Sequence, residues 1–245
     1  MPTRFKHTKL QEIYDGVCQF TQTAINPLIQ SNNWNQAWKK AGEYGLLSGC
    51  VPAEKGGNGL SLEESMAGIE GFSFSCIDGG FTFCVVACWS ASVIPLSQHG
   101  SSQQIEKWLK PVVNGDTSCS NAITEQGAGS DIASMSSKAV EKNKSYTINA
   151  NKCFISNASR AGFILLYALT NPEKKLLGGL SVFIVQKSEF NITGDYKLSG
   201  FDSFSLSELE VKDEVLSADR LVGAEGAGFG IFLQSMNVER MVMSA

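Results

Sequence analysis

The chain has 245 residues, 43% apolar and 18% charged, with a formal net charge of −4. That suffices for one large or two modest domains with a real core, and it excludes a disordered chain. With no Lys/Arg tract, nothing favours nucleic acid or an anionic membrane surface, and no apolar run is read as reaching the roughly 18 residues of a membrane span. The N-terminal M-P-T-R-F-K-H-T-K-L lacks the apolar core of a secretory signal. Seven scattered cysteines, with no C-x-x-C and an odd count, read as reduced thiols packed as small core residues, so the expected location is the cytoplasm. His7 and His99 are the only histidines, and neither stands at metal-ligand spacing, so no metal site is expected.

In chain order, residues 8 to about 113 read as helices. Leu10, Ile13, Tyr14, Val17, Phe20 and Thr21 recur at helical spacing toward Pro27. Asn32 or Asn33 caps a helix carrying Trp34, Trp38 and Ala41, and Gly45 stops it. Pro52 and Gly56-Gly57 punctuate a loop. Ser61 with Glu64 forms a capping box for the next helix. Residues 78–96 are small and apolar, which suits a buried helix. Ser101 or Ser102 caps a further helix, ended by Pro111 and Gly115.

Near residue 118 the period changes. Ser118–Thr124, Ser134–Val140, Tyr146–Asn151, Lys152–Ser156, Phe163–Leu169, Leu180–Val185 and Ser207–Val211 read as strands of an antiparallel barrel or sandwich. After L-V-G-A-E-G-A-G-F-G the helical pattern returns. From Gly226 to Ala245 the only charges are Glu239 and Arg240, and apolar residues lie on nearly all sides. Such a helix expects burial on several faces. Its packing partners are expected on another chain or a further segment, against the plainer alternative of a terminal helix on its own domain.

The most informative stretch is T-E-Q-G-A-G-S-D (Thr124–Asp131), answered by K-C-F-I-S-N (Lys152–Asn157). Glycines let backbone approach a ligand closely, and exposed N–H groups there can hold an anion such as a pyrophosphate. The second run reads as a short strand ending in a polar turn.

Together the two segments resemble the flavin-binding strands of the acyl-CoA dehydrogenase family. The likeness runs on through G-L-L-S-G-C-V-P-A-E-K-G-G-N-G-L-S, H-G-S-S-Q-Q-I-E-K-W-L-K-P-V-V-N-G-D, L-V-G-A-E-G-A-G-F-G and N-V-E-R. It implies an α+β fold: an N-terminal all-helical domain (1–117), an antiparallel β-barrel flavin-binding domain (118–225), and the first helix of a C-terminal helical bundle (226–245) whose remainder is absent. The family's R-x-x-F-G, its Q-x-x-G-G and its late glutamate do not occur. Gln126 stands where proline is usual, Ala158 where glycine is usual, and G-F-D-S-F-S-L-S-E-L lacks the family's hydroxyl residues at their usual offsets.

The resemblance implies FAD as cofactor. Thr124 matches the hydroxyl bonded to the flavin ring and Ile123 would add backbone contacts. Asn121 takes a ligand-facing position where an aromatic is common. Gly129 and Ser130 match residues that approach the pyrophosphate, Ser130 also touching the thioester. Phe154 and Ser156 match the aromatic and hydroxyl flanking the ring. Each has a plain alternative: a barrel threonine, an ordinary turn, a strand with one core phenylalanine. Asp131 reads as bracing its turn, and Lys152 as a surface charge at a strand start or a phosphate contact. Glu239 matches the base of those members that carry it on this helix, against the alternative of a structural Glu-Arg pair. Arg240 is a candidate substrate contact or a structural group.

The implied function is α,β-dehydrogenation of an acyl thioester, on coenzyme A or an acyl carrier protein, in fatty acid metabolism. The enzyme is expected to be inactive without the C-terminal half or a partner supplying the bundle, as a homo- or hetero-oligomer. The alternatives are a non-catalytic flavin- or thioester-binding subunit and a related flavin oxidase or monooxygenase.

Overall fold

The computed structural model of the chain describes residues 4–244; Met1–Thr3 of the N-terminal segment and Ala245 of the expected third domain lie outside the described residues. Helix α1 (Thr8–Phe20) buries Leu10, Tyr14, Val17 and Cys18, the face its spacing predicts. It runs through a π turn, Thr21–Ile25, into α2 (Asn26–Gln30). The Asn33 side chain accepts the Gln36 N–H at the start of α3 (Trp34–Tyr44), and Gly45 ends that helix at φ 98°. The reciprocal Ser61–Glu64 capping box opens α4 (Leu62–Ser75). Asp78 caps α5 (Gly79–Cys88), which continues through the π turn Trp89–Val93 into α6 (Ile94–His99). Ser101 forms a capping box with Gln104 at α7 (Ser102–Gln104); the π turn Ile105–Leu109 and α8 (Lys110–Val113) follow.

Three helical prolines share one solution. Pro27, Pro95 and Pro111 each stand two residues past a π turn. The residue before each proline donates back five residues: Asn26 N–H to Thr21, Ile94 to Trp89, Lys110 to Ile105. A proline ring in an α-helix clashes with the carbonyl four residues back, and the wider turn moves that carbonyl away. Pro111 therefore does not end its helix as expected; the turn comes at Gly115, φ 73°. The expectation of no membrane-length apolar run also needs correction. Gly79–His99 is 21 residues long and holds an 18-residue window with a mean hydropathy of 1.6, enough by length and composition to cross a membrane, and 78% of that window is buried inside the protein as a core helix.

The strands form one eight-stranded sheet: β1 (Cys119–Ala122), β2 (Lys138–Lys142), β3 (Ser145–Ser156), β4 (Phe163–Leu169), β5 (Leu180–Gln186), β6 (Asn191–Asp195), β7 (Leu206–Ser217) and β8 (Leu221–Val222). A short turn-like helix, α9 (Leu176–Gly179), links β4 to β5. Most pairs are antiparallel, but β1 runs parallel to β4 over Cys119↔Phe163 to Ala122↔Leu166, so the sheet is mixed where antiparallel pairing throughout was expected. The two runs read separately as Tyr146–Asn151 and Lys152–Ser156 are one strand with a bulge. β6, N-I-T-G-D, is a strand whose glycine and polar residues hid it.

Strand β4 is buried on both faces and explains the layers. Phe163, Leu165, Tyr167 and Leu169 face the helical core with Trp89, Val93 and Leu96. Ile164, Leu166 and Ala168 face a second core with Ile148, Phe183 and Val211. The period-2 alternation of a strand thus joins the two domains through one element. Helix α10 (Gly228–Val242) returns across this junction, burying Gly228, Ile231, Ser235 and Val242. It leaves Leu233 and Met241 exposed, as is Met243 just past its end.

Candidate active site

A cavity of about 150 Å³ opens where α5, β1, the end of β3 and α10 meet. Helix α5 and the following π turn present Cys84, Ala87, Cys88 and Ala91, small residues at the spacing of one helix face. β1 and its exit give Ser120, Asn121 and Ile123; β3 and its turn give Ser156 and Asn157; α10 gives Phe232, Met236 and Glu239. Three sequence candidates from distant parts of the chain, Asn121, Ser156 and Glu239, therefore meet in one cavity with Ile123. Cys88 and Cys119 Sγ lie 3.6 Å apart in its wall as free thiols.

Glu239 is the cavity's carboxylate. Its Oε2 is buried without a hydrogen-bond partner among the described residues. Burial pushes its carboxyl up to about 6, because the charged form loses water and gains no cation. The neighbouring Tyr167 hydroxyl is also buried and unpartnered, and its pKa is raised by burial and then by the Glu239 charge. Arg240 is exposed and does not line the cavity. One residue on a helix turns the side chain by about 100°, which separates the two neighbours.

The loop after β1 is held from beneath. Glu125, 5% exposed, accepts the Ser136 and Ser137 N–H groups at 2.7 and 3.0 Å, and both hydroxyls. Lys152 Nζ reaches Glu125 Oε1 at 2.9 Å and the Ile123 carbonyl at 3.0 Å. Lys152 is thus a fully buried cation, with a side-chain exposure of 0%, and not the surface charge or phosphate contact expected. Burial pushes the Glu125 carboxyl up, but the Lys152 charge and the serine donors outweigh it and hold it near 2. The ion pair and the Cys153 N–H to Thr124 carbonyl bond of 3.0 Å tie the two signature segments together. Above this base, Gly127, Gly129 and Ser130 are exposed, and a Cβ added at either glycine would meet nothing within 4 Å. Asp131 accepts the Ser134 hydroxyl and braces the turn as expected.

Phe154 sits on the β3 bulge, where Cys153 and Phe154 oppose the single residue between Ser207 and Leu209. Its φ is 55°, a left-handed value costly for a bulky side chain. The bulge turns the ring outward, 53% exposed, and stacks it on Tyr196 at 4.5 Å between centroids. Strained backbone of this kind concentrates at ligand sites.

These residues fit a flavin. The loop offers open backbone at Gly127–Ser130, the bulge offers an exposed aromatic face, and the hydroxyls of Thr124, Ser130 and Ser156 bond no described residue. Sequence reasoning missed the Glu125–Lys152 pair, Asn157 and the α5 face. The phase of β3 was the available signal: Tyr146, Ile148, Ala150 and Lys152 all point inward at period 2.

Two family models match the chain: the acyl-CoA dehydrogenase N-terminal domain over residues 8–116 and the middle domain over residues 120–214. The L-prolyl-[peptidyl-carrier protein] dehydrogenase of Serratia sp. is 35% identical over 94% of this chain and 59% of its own length. The short-chain-specific acyl-CoA dehydrogenase of Clostridium acetobutylicum is 27% identical over 98% of this chain and 65% of its own. The solved structure of PigA with FAD and proline superposes with a TM-score of 0.92 at 30% identity, over 98% of this chain and 64% of PigA. The chain spans less than two thirds of the length of each of these three. With both domain models matched in order and a neighbour sharing nearly the whole path of the backbone, the chain belongs to the acyl-CoA dehydrogenase family.

Proposed function

We propose that this chain holds FAD and supplies the flavin site and the base of a dehydrogenase acting on an acyl thioester, carried on coenzyme A or on a carrier protein. The observation that carries the reading is Glu239: a carboxylate whose Oε2 is buried without a partner among the described residues, held near 6, in a small cavity whose walls include Ile123 and Ser156 of the two flavin segments. FAD, when bound, supplies the acceptor for the β-hydrogen and its electron pair. Glu239 takes the α-proton, which the neighbouring thioester carbonyl acidifies; near neutral pH its carboxylate is ionised and basic enough to accept it. Thr124, Ser130 and Ser156 offer hydrogen bonds to the cofactor. The open backbone at Gly129 and that of Ile123 let it approach, and Phe154 walls the ring from water. Asn121 lines the same cavity as Glu239.

The exposed Leu233 and Met241 on α10, and Met243 just past its end, fit a helical bundle packed over them, on the same or a partner polypeptide, and on this reading the bundle completes the site. The carrier-linked relative supports a carrier protein as one thioester source.

The test is Glu239→Gln with flavin absorbance and solvent-deuterium exchange at the α-carbon of a bound thioester as readouts. Flavin should be retained and exchange lost. Exchange at the parent rate would place the base elsewhere. A flavin-bearing assembly that never turns over would make the chain a non-catalytic subunit, and rapid reaction of reduced flavin with oxygen would make it an oxidase.

A further inference from the structure

A second cavity, of about 250 Å³, lies between α1, α4 and the turn that follows α3. It shares no lining residue with the cavity that holds Glu239. The two flank one stretch of helix: Ala87 and Ala91 face the Glu239 cavity, and Trp89 faces the second. Two positions along a helix turn the side chain by roughly 200°, which sets Trp89 on the opposite side. The space is made by missing side chains. A Cβ added at Gly68 would meet Ile13 and Val17 at 3.6 and 3.7 Å, and one at Gly16 would meet the Tyr44 hydroxyl at 3.4 Å. All of these residues line the cavity, so both added groups would project into it.

Trp89 supplies the polar feature. It is 1% exposed, and its Nε1 has no hydrogen-bond partner among the described residues. A buried indole N–H ordinarily finds one. The indole edge that carries Nε1 is turned into the cavity, since a Cβ added at the lining Gly49 would meet the adjacent Cζ2 at 3.0 Å. An indole N–H only donates, so it asks for an acceptor. Charge narrows the choice. Glu12 and Glu64 are the only Asp, Glu, Lys or Arg side chains in the lining, and Glu64 is already held by Lys9 and the Ser61 N–H. With carboxylates and no cation on its wall, the cavity disfavours a carboxylate or a phosphate. Size sets the rest: an apolar cavity of about 150 Å³ takes benzene, so this larger one takes a molecule of about two fused rings.

We propose that this cavity is a second ligand site, separate from the Glu239 cavity. Its ligand is a neutral, largely apolar molecule of about two-ring size whose carbonyl oxygen accepts the Trp89 Nε1–H. Tyr44, 41% exposed, and the exposed Asn58 stand on its open side and give the entrance. The site stands whether or not the thioester reading does.

The test uses 1-tetralone and tetralin, two-ring molecules of the same shape that differ by a carbonyl for CH₂. Each is titrated into the full isotope-labelled chain with FAD present, and the indole N–H resonances are followed by NMR. The Trp89 resonance is the one missing from Trp89→Phe. The ketone should bind about 5- to 30-fold tighter than the hydrocarbon and move the Trp89 resonance downfield, because only the ketone completes the buried donor. Trp89→Phe keeps a ring in place and should bring the two affinities within about twofold, chiefly by weakening the ketone. Gly16→Ala/Gly68→Ala puts two methyl groups into the cavity at helical positions where alanine is favoured, and should weaken both probes about tenfold or more. This variant carries the test if Trp89→Phe does not fold. Failure of the ketone to bind, equal binding of ketone and hydrocarbon, an unmoved Trp89 resonance at saturation, or undiminished binding by the double alanine variant overturns the proposal.

Discussion

Replacing Lys152 by Met tests whether the flavin loop rests on a buried ion pair. The ammonium leaves a site where its side chain is 0% exposed, and Met fills nearly the same length. What goes is the 2.9 Å contact to Glu125 and the 3.0 Å bond to the Ile123 carbonyl. Breaking a buried pair from one side costs about 3–5 kcal/mol. Glu125 keeps both N–H groups and both hydroxyls of Ser136 and Ser137, which lowers the expected loss to about 2–3 kcal/mol. Glu125→Leu leaves the ammonium one carbonyl and should cost the full amount, about 3–5 kcal/mol. The double variant Glu125→Leu/Lys152→Met orphans only the serine donors and should recover part of that loss. Urea unfolding at pH 7 gives the three values, with flavin retention as a second readout. Acid adds a check of sign. Glu125 is held near 2, below its usual value, so its stabilisation is complete above about 4.3 and disappears as pH falls through 2. Lys152→Met should flatten that acid slope. A loss from Lys152→Met equal to that from Glu125→Leu, or both below about 1 kcal/mol, would refute the asymmetry and the supporting role.

At Glu239 the sign is reversed. A carboxyl held near 6 destabilises the folded chain when ionised, so Glu239→Gln should raise stability by about 1–2 kcal/mol at pH 8 and by nothing at pH 4, read from urea midpoints at both values. The rate of α-proton exchange in the assembled enzyme should rise with pH through about 6 and then level off. Phe154→Gly removes a left-handed phenylalanine and its stack on Tyr196 together, so stability should move by less than about 1 kcal/mol while flavin retention falls; a large loss of stability would make the ring structural. Thr124→Val with Ser130→Ala should weaken flavin retention in the assembled enzyme by about 0.5–1.5 kcal/mol per hydroxyl, and unchanged affinity would move the contacts elsewhere.

Much of the helical domain was legible because its signals are local. Asn33, Gly45, and the Ser61–Glu64 box work within a few residues, and each stands where the sequence puts it. Pro111 misled because a proline's effect depends on the turn before it, and nothing local announces a π turn. In the sheet, composition hid β6, and charge misplaced Lys152. Its inward phase on β3 was visible, but a buried lysine is credible only once its partner is known, and Glu125 lies 27 positions away in the chain. The parallel pairing of β1 with β4 is likewise a fact of topology, not of pattern. At the site, T-E-Q-G-A-G-S-D marked the loop, whereas the cavity joins four elements that no short window contains.

The three π turns also bear on how this chain tolerates change in length. Each is equivalent to one inserted residue, so the apolar phase of the helix jumps by about 100° across it. Around and downstream of Trp89–Val93 the helix is buried on all sides, with Ile94, Pro95, Leu96 and Ser97 each enclosed. Deleting one residue there would restore regular winding, set each of these side chains against different packing neighbours, and drive the Pro95 ring back onto a carbonyl. Neighbouring positions in this helix are therefore freer to change in identity than in number.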